Sequence, residues 1–275
     1  MTAVKLSTLL KKANQNNYAV AGLVVLGWED AVAFTQAADE TGIPIILQAG
    51  PSCRSHTPVP VLGKMFRYLA EQTKTQICCH LDHGYSIKEC KEGMDYGFTS
   101  VMFDGSKLPF KKNIYITSKI AKIAQSYKVS LEGEIGIVGY YKGKMSEGTK
   151  INEAKIFSSE SGVDAMAISV GNTHLQTRKN AKIDINKIHK IQKVTKIPLV
   201  LHGSSGISNL IRKKLAKTTN IAKFNIGTEL RMVAGNSLRE NFIKNKKIFD
   251  RLQLIKPTIN TIKKETKKII LNIGP

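Results

Sequence analysis

The chain predicts a closed α/β fold, a (β/α)8 or TIM barrel, forming one domain over residues 1–275 with an extra helical segment at the C-terminus. Three observations predict it. Short β-branched apolar runs alternate with amphipathic stretches eight times, and strand–helix repeats of that kind within ~250 residues read as a barrel. Several runs are apolar throughout, as strands covered on both faces are. Residues able to do chemistry recur where these runs end, and such ends meet on one face only when the sheet closes. A doubly wound open sheet is the alternative, and it would string the same residues along an edge.

The elements follow in order. A strand over 18–25 precedes an Ala-rich helix over 29–41, which stops at Gly42, a residue that ends helices. A strand over 44–48 leads through Gly50-Pro51-Ser52-Cys53-Arg54 to a helix over 61–74, whose Leu62, Met65, Phe66 and Leu69 recur at three- and four-residue steps. The third strand, 75–81, is followed by Ser86 and Glu89, a capping-box pair opening a helix over 87–96. A strand over 100–103 and a helix over 114–127 come next, with Ile116, Ile120, Ile123 and Ala124 on one face. After a strand over 129–134, residues 136–150 form a long loop rich in Gly, Tyr, Lys and Ser, a candidate lid. A helix over 152–161, a strand over 165–170 and a helix over 185–195 follow. A strand over 198–202, a helix over 209–218 capped by Ser208, and a strand over 222–226 complete the repeat. A final helix starts near Thr228 and runs through Phe242, and the basic segment 256–275 reads as an extra helix over the barrel.

Composition excludes some classes. No apolar run approaches the ~20 residues of a membrane span, and Met1-Thr2-Ala3-Val4-Lys5 lacks a signal-peptide core. The four cysteines form no disulfide or zinc-knuckle pattern, so a reducing cytoplasm is the expected setting. The net charge of +21 raises the question of nucleic acid. Its lysines, however, are spread along helices without interleaved aromatics, which reads as solvated faces with some attraction for phosphorylated substrates.

The candidate chemistry begins at Cys79-His80-Leu81-Asp82-His83-Gly84. His83, His174 and His202 follow the third, sixth and seventh strands. Three neutral imidazoles can make a zinc site with one open position. Their spacing is too long for a zinc finger, so the fold must bring them together. Any one alone could be an ordinary hydrogen-bonded histidine, whereas three in one register favour ligands. Asp82 adjoins a ligand, and a carboxylate there can move a proton to or from a substrate hydroxyl. Its bland alternative is a helix cap or an ion pair. Asp104, Glu132 and Glu134 end consecutive strands and can hold a second cation or orient the histidines, or simply form salt bridges at the mouth. Gly203-Ser204-Ser205-Gly206 and Asn225-Ile226-Gly227-Thr228 are small-residue loops after strands seven and eight, where a barrel binds phosphate.

These motifs resemble those of the class II, zinc-dependent fructose-bisphosphate and tagatose-bisphosphate aldolases, over roughly residues 6–242. The resemblance implies that His83, His174 and His202 bind catalytic Zn2+, that Asp82 is the proton donor, and that Asp104 and Glu134 form an alternate metal position. It implies that Gly203, Ser204, Ser205, Asn225, Ile226, Gly227 and Thr228 hold dihydroxyacetone phosphate, with a monovalent cation as a further ligand of the family. The implied function is glycolytic cleavage or formation of a ketose bisphosphate through a zinc-stabilised enediolate, fructose 1,6-bisphosphate first and tagatose 1,6-bisphosphate or another ketose phosphate as alternatives. A cytoplasmic homodimer or homotetramer is implied as well. A glutamate on the loop after strand five exchanges the C3 proton in the family, and the acid available on this loop is Glu147. The chain departs from the family pattern in places. Leu175 stands where the family has Gly, Gly139-Tyr140-Tyr141-Lys142-Gly143 replaces a Gly-Gly acidic loop, and Arg54 is expected to anchor a distal anionic group. The rival reading of another class is a nucleic-acid-binding protein on an inactive barrel. A metal-dependent barrel hydrolase would want a His-x-His pair on strand one, and 20–25 has no histidine.

Overall fold

The computed structural model describes residues 2–140, 143, 146–244 and 246–275. Eight parallel strands close into a barrel in sequential order. The chain runs α1 (Leu6–Gln15), β1 (Val20–Val24), α2 (Trp28–Thr41), β2 (Ile45–Ala49), α3 (Pro51–His56), α4 (Val59–Gln72), β3 (Ile77–Gly84) and α5 (Ile87–Asp95). It continues through β4 (Ser100–Phe103), α6 (Phe110–Ser126), β5 (Ser130–Ile135), α7 (Ile151–Glu160), β6 (Ala165–Ile168), α8 (Ile185–Val194) and β7 (Leu199–Leu201). It ends with α9 (Asn209–Thr218), β8 (Ile221–Ile226), α10 (Thr228–Lys244), α11 (Arg251–Ile255) and α12 (Thr258–Ile273).

Side chains alternate across each strand, and here the alternation sorts two cores. Outward-facing Ala21, Leu23, Ile45, Leu47, Leu81, Val101, Leu131, Ile168 and Leu201 pack under the helices. Inward-facing Val20, Ile46, Cys78, Met102, Ala165, Ala167, Val200 and Ala222 form an apolar floor. Helix α1 closes that floor with Leu6, Leu9, Leu10 and Ala13, each leucine contributing roughly 1.5–3 kcal/mol by burial. Above the floor the interior turns polar, with Gln48, His80, Asp82, Ser100, Glu132, Glu134, His202 and Lys223 all buried. A bulge makes the transition on β8. Leu199 pairs with Ile221 but Val200 with Lys223, so one residue is inserted and Lys223 is aimed inward above Ala222.

Helices α1 and α3 were not anticipated from the sequence, and β3 extends to Gly84, past the expected end at residue 81. The C-terminal segment is helical as expected, but α12 packs against α2, α9, α10 and β1. It therefore fills the ring between α9 and α2 rather than lying over the barrel. Helix α10 is the one that stands outside, burying only Leu230 and Ser237. Among the described residues no helix is long and apolar enough to cross a membrane.

Candidate metal and substrate site

Asp82 and His83 are adjacent in β3, and strict alternation would send them to opposite faces. Both reach the mouth because His83 adopts φ +50°, and the β3–β4 register shifts between Leu81 and Gly84. A left-handed backbone costs a residue with a β-carbon roughly 1–2 kcal/mol, and such strain collects at functional positions.

The three histidine rings meet at this bend. Ring centroids lie 4.6 Å apart for His83–His202, 5.4 Å for His83–His174 and 5.8 Å for His174–His202. A nitrogen from each lies within 4.8 Å of the others, and His83, Asp104 and Glu134 form a second such cluster. Carboxylates fix the tautomers, because a carboxylate oxygen only accepts. His83 Nδ1 donates to Asp104 Oδ2 at 3.0 Å, and His202 Nε2 donates to Glu132 Oε1 at 3.0 Å. This leaves His83 Nε2 and His202 Nδ1 facing each other at 2.9 Å. Two lone pairs so placed need a proton or a cation between them. Glu134 Oε2 is buried without a hydrogen-bond partner among the described residues, 3.7 Å from His202 Nδ1 and 3.9 Å from His83 Nδ1. Imidazoles backed by carboxylates, with a further oxygen in reserve, fit a zinc ion.

The surrounding charges set the protonation states. Burial, with His83 and His202 as neighbours, holds His174 down at about 3. Burial also lowers His202, partly offset by its bond to Glu132. Burial would lower His83 too, but the carboxylates of Asp82, Asp104 and Glu134 raise it to about 9. Asp82 is held well below the usual carboxylate range, since His83, His202, Lys223 and His80 outweigh its burial. Glu134 goes the other way, raised well above its ordinary value by burial and by Asp104.

The polar interior below supports this cluster. Lys223 Nζ donates to Glu132 Oε2 at 2.6 Å, so one buried cation neutralises the carboxylate that orients His202. His80 bonds Ser100 Oγ through Nδ1 at 2.9 Å, and its Nε2 faces Lys223 Nζ at 3.4 Å. Burial and Lys223 lower His80 to about 3.

Beside the histidines, one small cavity is lined by Asp82, His174, Gly203, Ser205, Asn225, Gly227 and Thr228. Asn225 Nδ2 donates to Asp82 Oδ1 at 3.3 Å. The N–H groups of Gly227 and Glu229, at the start of α10, point at Ser205 Oγ at 3.3 and 3.2 Å, a pair of donors suited to an anion. Gly203 has φ +61°, and a β-carbon there would meet the Thr173 carbonyl at 2.3 Å. Ser204 and Ile226 do not line the cavity: the Ser204 hydroxyl donates to the Leu201 carbonyl, and Ile226 packs in the outer core.

A family model described as fructose-bisphosphate aldolase class-II matches residues 4–274. The chain belongs to the class II fructose-bisphosphate aldolase family. It is 32% identical over its whole length to 6-phospho-5-dehydro-2-deoxy-D-gluconate aldolase of Shouchella clausii, covering 95% of that protein. It is also 32% identical to fructose-bisphosphate aldolase of Staphylococcus epidermidis, covering all of this chain and 98% of that one. Among solved structures, the YdjI aldolase from Escherichia coli K12 superposes with a TM-score of 0.88 at 26% identity, over 99% of this chain and 97% of that one.

Within this aldolase family frame the departures have physical form. Leu175, at the position where Gly was expected, takes φ +57° and lines the Asp82 cavity while 47% exposed. Of the altered loop, Tyr141 and Lys142 lie outside the described residues. Tyr140 stacks on His174 with centroids 5.1 Å apart, a contact not foreseen from the sequence. Ile137 and Glu147 pair through their backbones. The Glu147 side chain is exposed and lines a neighbouring cavity with Ser106, Lys107 and Pro109, not the one containing Asp82. Arg54 is not free to anchor a substrate. Its guanidinium is spent on the carbonyls of Ala49, Asp82 and His83 and on Glu89. Lys223 was also missed, although a lysine inside the apolar run Ile221-Ala222-Lys223-Phe224 signals a buried pair.

Proposed function

We propose that the chain is a zinc-dependent aldolase that cleaves or forms a phosphorylated ketose, with fructose 1,6-bisphosphate as the first candidate. The convergence of His83, His174, His202 and Asp82 beside the Ser205–Gly227 anion donors carries this reading. A second reading has its own support: a relative equally similar to this chain is named for 6-phospho-5-dehydro-2-deoxy-D-gluconate, a phosphorylated keto sugar acid. Tagatose 1,6-bisphosphate belongs to the same class. In each, a phosphate near the ketone suits the same anion donors; the two ketose bisphosphates differ only in configuration at C4 and share one aldehyde half, whereas the keto sugar acid has another.

Zinc, held by His83, His174 and His202 with Asp104 and Glu134 as an alternate position, would supply a Lewis acid for the electrons left on C3. The protein's own groups do the rest. Asp82 is ionised, the state that takes the C4 hydroxyl proton in cleavage and returns it in condensation. Asn225 fixes the Asp82 carboxylate, and the N–H groups of Gly227 and Glu229 with Ser205 hold the phosphate. Gly203 lets the loop approach closely, with Ser204 and Ile226 shaping the two loops behind it and Thr228 opening α10. A monovalent cation is the further ligand of this reading, beside Leu175, which takes φ +57° where the family has Gly. Glu147 is assigned the C3 proton exchange as the acid of this loop, with its side chain on the neighbouring cavity beside Ser106 and Lys107. The chain acts as one unit, in the cytoplasm, as a homodimer or homotetramer.

The test is an aldol assay with dihydroxyacetone phosphate and a panel of aldehydes, run with and without chelator. Product formation that is lost on chelation and restored by zinc is the expected result. Turnover indifferent to chelator, or none with any aldehyde, overturns the proposal.

A further inference from the structure

The bend that turns Asp82 and His83 into the mouth exposes their two carbonyls on its other side. Buried carbonyls need donors. One side chain supplies them. Arg54, on the short helix α3, donates through Nη1 to the carbonyls of Ala49, at 2.6 Å, and Asp82. Through Nη2 it donates to the carbonyl of His83 at 2.9 Å and to Glu89 Oε2 at 3.4 Å. Its side chain is 9% exposed, so the guanidinium is inside the structure. Glu89 in turn accepts from the Tyr85 N–H and takes part in the Ser86 cap of α5. The clamp therefore joins the end of β2, the end of β3 and the first turn of α5.

We infer that Arg54 is a positioning residue that sets the angle between the Asp82 proton-transfer group and the His83 ligand. The inference rests on the reading of this cluster as a metal-dependent aldol site. Its geometry requires a planar fork. Two successive carbonyls 28 and 29 residues away in sequence are held by different nitrogens of one rigid plane. A lysine ammonium is a point donor on a flexible stem and cannot hold both at a fixed angle. The left-handed His83 backbone has no other side-chain donor on its carbonyl among the described residues. Without the fork, the strand end is free to relax towards ordinary alternation, which turns one of the two side chains away from the mouth.

The experiment compares Arg54→Lys, Arg54→Ala and Glu89→Gln in the full chain, with folding checked by circular dichroism and thermal melting. Zinc affinity is measured by chelator competition, and kcat and KM are measured separately. In Arg54→Lys, zinc affinity and kcat each fall about 10–100-fold, as for other groups that orient metal ligands, while KM stays near the wild-type value. Free guanidinium at millimolar concentration restores part of both in Arg54→Ala, and methylammonium does not. Glu89→Gln, which leaves the carbonyl bonds in place, changes zinc affinity by less than about threefold. A folded Arg54→Lys protein with wild-type zinc affinity and kcat overturns the inference. So does a loss confined to KM, which is the signature of a substrate anchor. The zinc titration needs no sugar substrate, so it decides the role of Arg54 even if the assigned reaction fails.

Discussion

His83 does two things with one conformation. Its left-handed backbone brings its ring to His202, and it leaves Asp82 free to face the same space. The two residues should therefore separate by function when mutated. Asp82→Ala keeps zinc and loses about 10²–10⁴ in cleavage rate, the range for a positioned proton-transfer group. His83→Ala loses both metal and activity. Glu147→Ala slows C3 proton exchange on dihydroxyacetone phosphate more than Asp82→Ala does. Zinc content by mass spectrometry, alongside cleavage and exchange rates, checks all three, and an Asp82→Ala protein with zinc and near wild-type cleavage refutes the role given to Asp82. The placement of Asp82 and His83 at the mouth was legible because they end an apolar run, whereas Glu147 was read from the family resemblance alone. Arg54 was read as a substrate anchor because its partners are backbone carbonyls, which have no letter in a sequence. Ser204 looked equivalent to Ser205, and only the turn at Gly203 separates a hydroxyl bonded inside the loop from one facing the cavity.

At the scale of elements, periodicity located the strands, and packing between helices decided what periodicity could not. Helix α1 has apolar residues at Leu6, Leu9, Leu10 and Ala13, a helical spacing. What the spacing does not say is that the helix turns under the barrel instead of joining the ring. Its Ser7 hydroxyl accepts from Ser130 Oγ in the interior at 2.9 Å, so the plug is registered to β5. Helix α12 shows the converse. Its lysine-rich surface suggested a peripheral segment, yet Ile262, Ile269, Ile270 and Ile273 are buried and it closes the ring beside α2. The plug should be separable from the chemistry. Leu10→Ala removes a fully buried side chain from the floor and should cost about 2–5 kcal/mol. KM and zinc affinity at a temperature well below the melting point should be unchanged. Denaturant unfolding beside kinetics checks this, and a shifted zinc affinity would mean that the floor and the mouth are coupled.

For the molecule as a whole, the buried ionisable groups predict how stability varies with pH once the metal is removed. Surface pairs such as Lys263 and Lys267 on Glu40 are screened by solvent. The interior titrates differently. His80, His174 and His202 have folded values lowered from 6.5. Above 6.5 they cost nothing, and below it the unfolded chain takes protons that the folded chain refuses. Stability therefore falls as pH drops from 6.5, before the carboxylates reach their ordinary values near 4. His83 has the opposite sign. Its folded value is raised to about 9, so its contribution is complete below 6.5 and is lost as pH rises through 9. Glu134, raised by burial and by Asp104, adds a decline that begins as pH rises above its ordinary value of 4.5. The chelated protein should thus melt highest near pH 6.5, with a lower melting temperature on both sides. A zinc ion bound at His83 would keep that imidazole neutral, so the loaded protein should lack most of the decline between pH 6.5 and 9. In the chelated protein, His83→Asn should flatten that alkaline limb, reduce the parts of the acid limb due to His174 and His202, and keep the part due to His80, which burial and Lys223 lower. Melting temperatures across pH 5–9, with and without zinc, read this directly, and a chelated protein whose stability rises steadily from pH 6.5 to 9 would show that the carboxylates around His83 do not hold its proton.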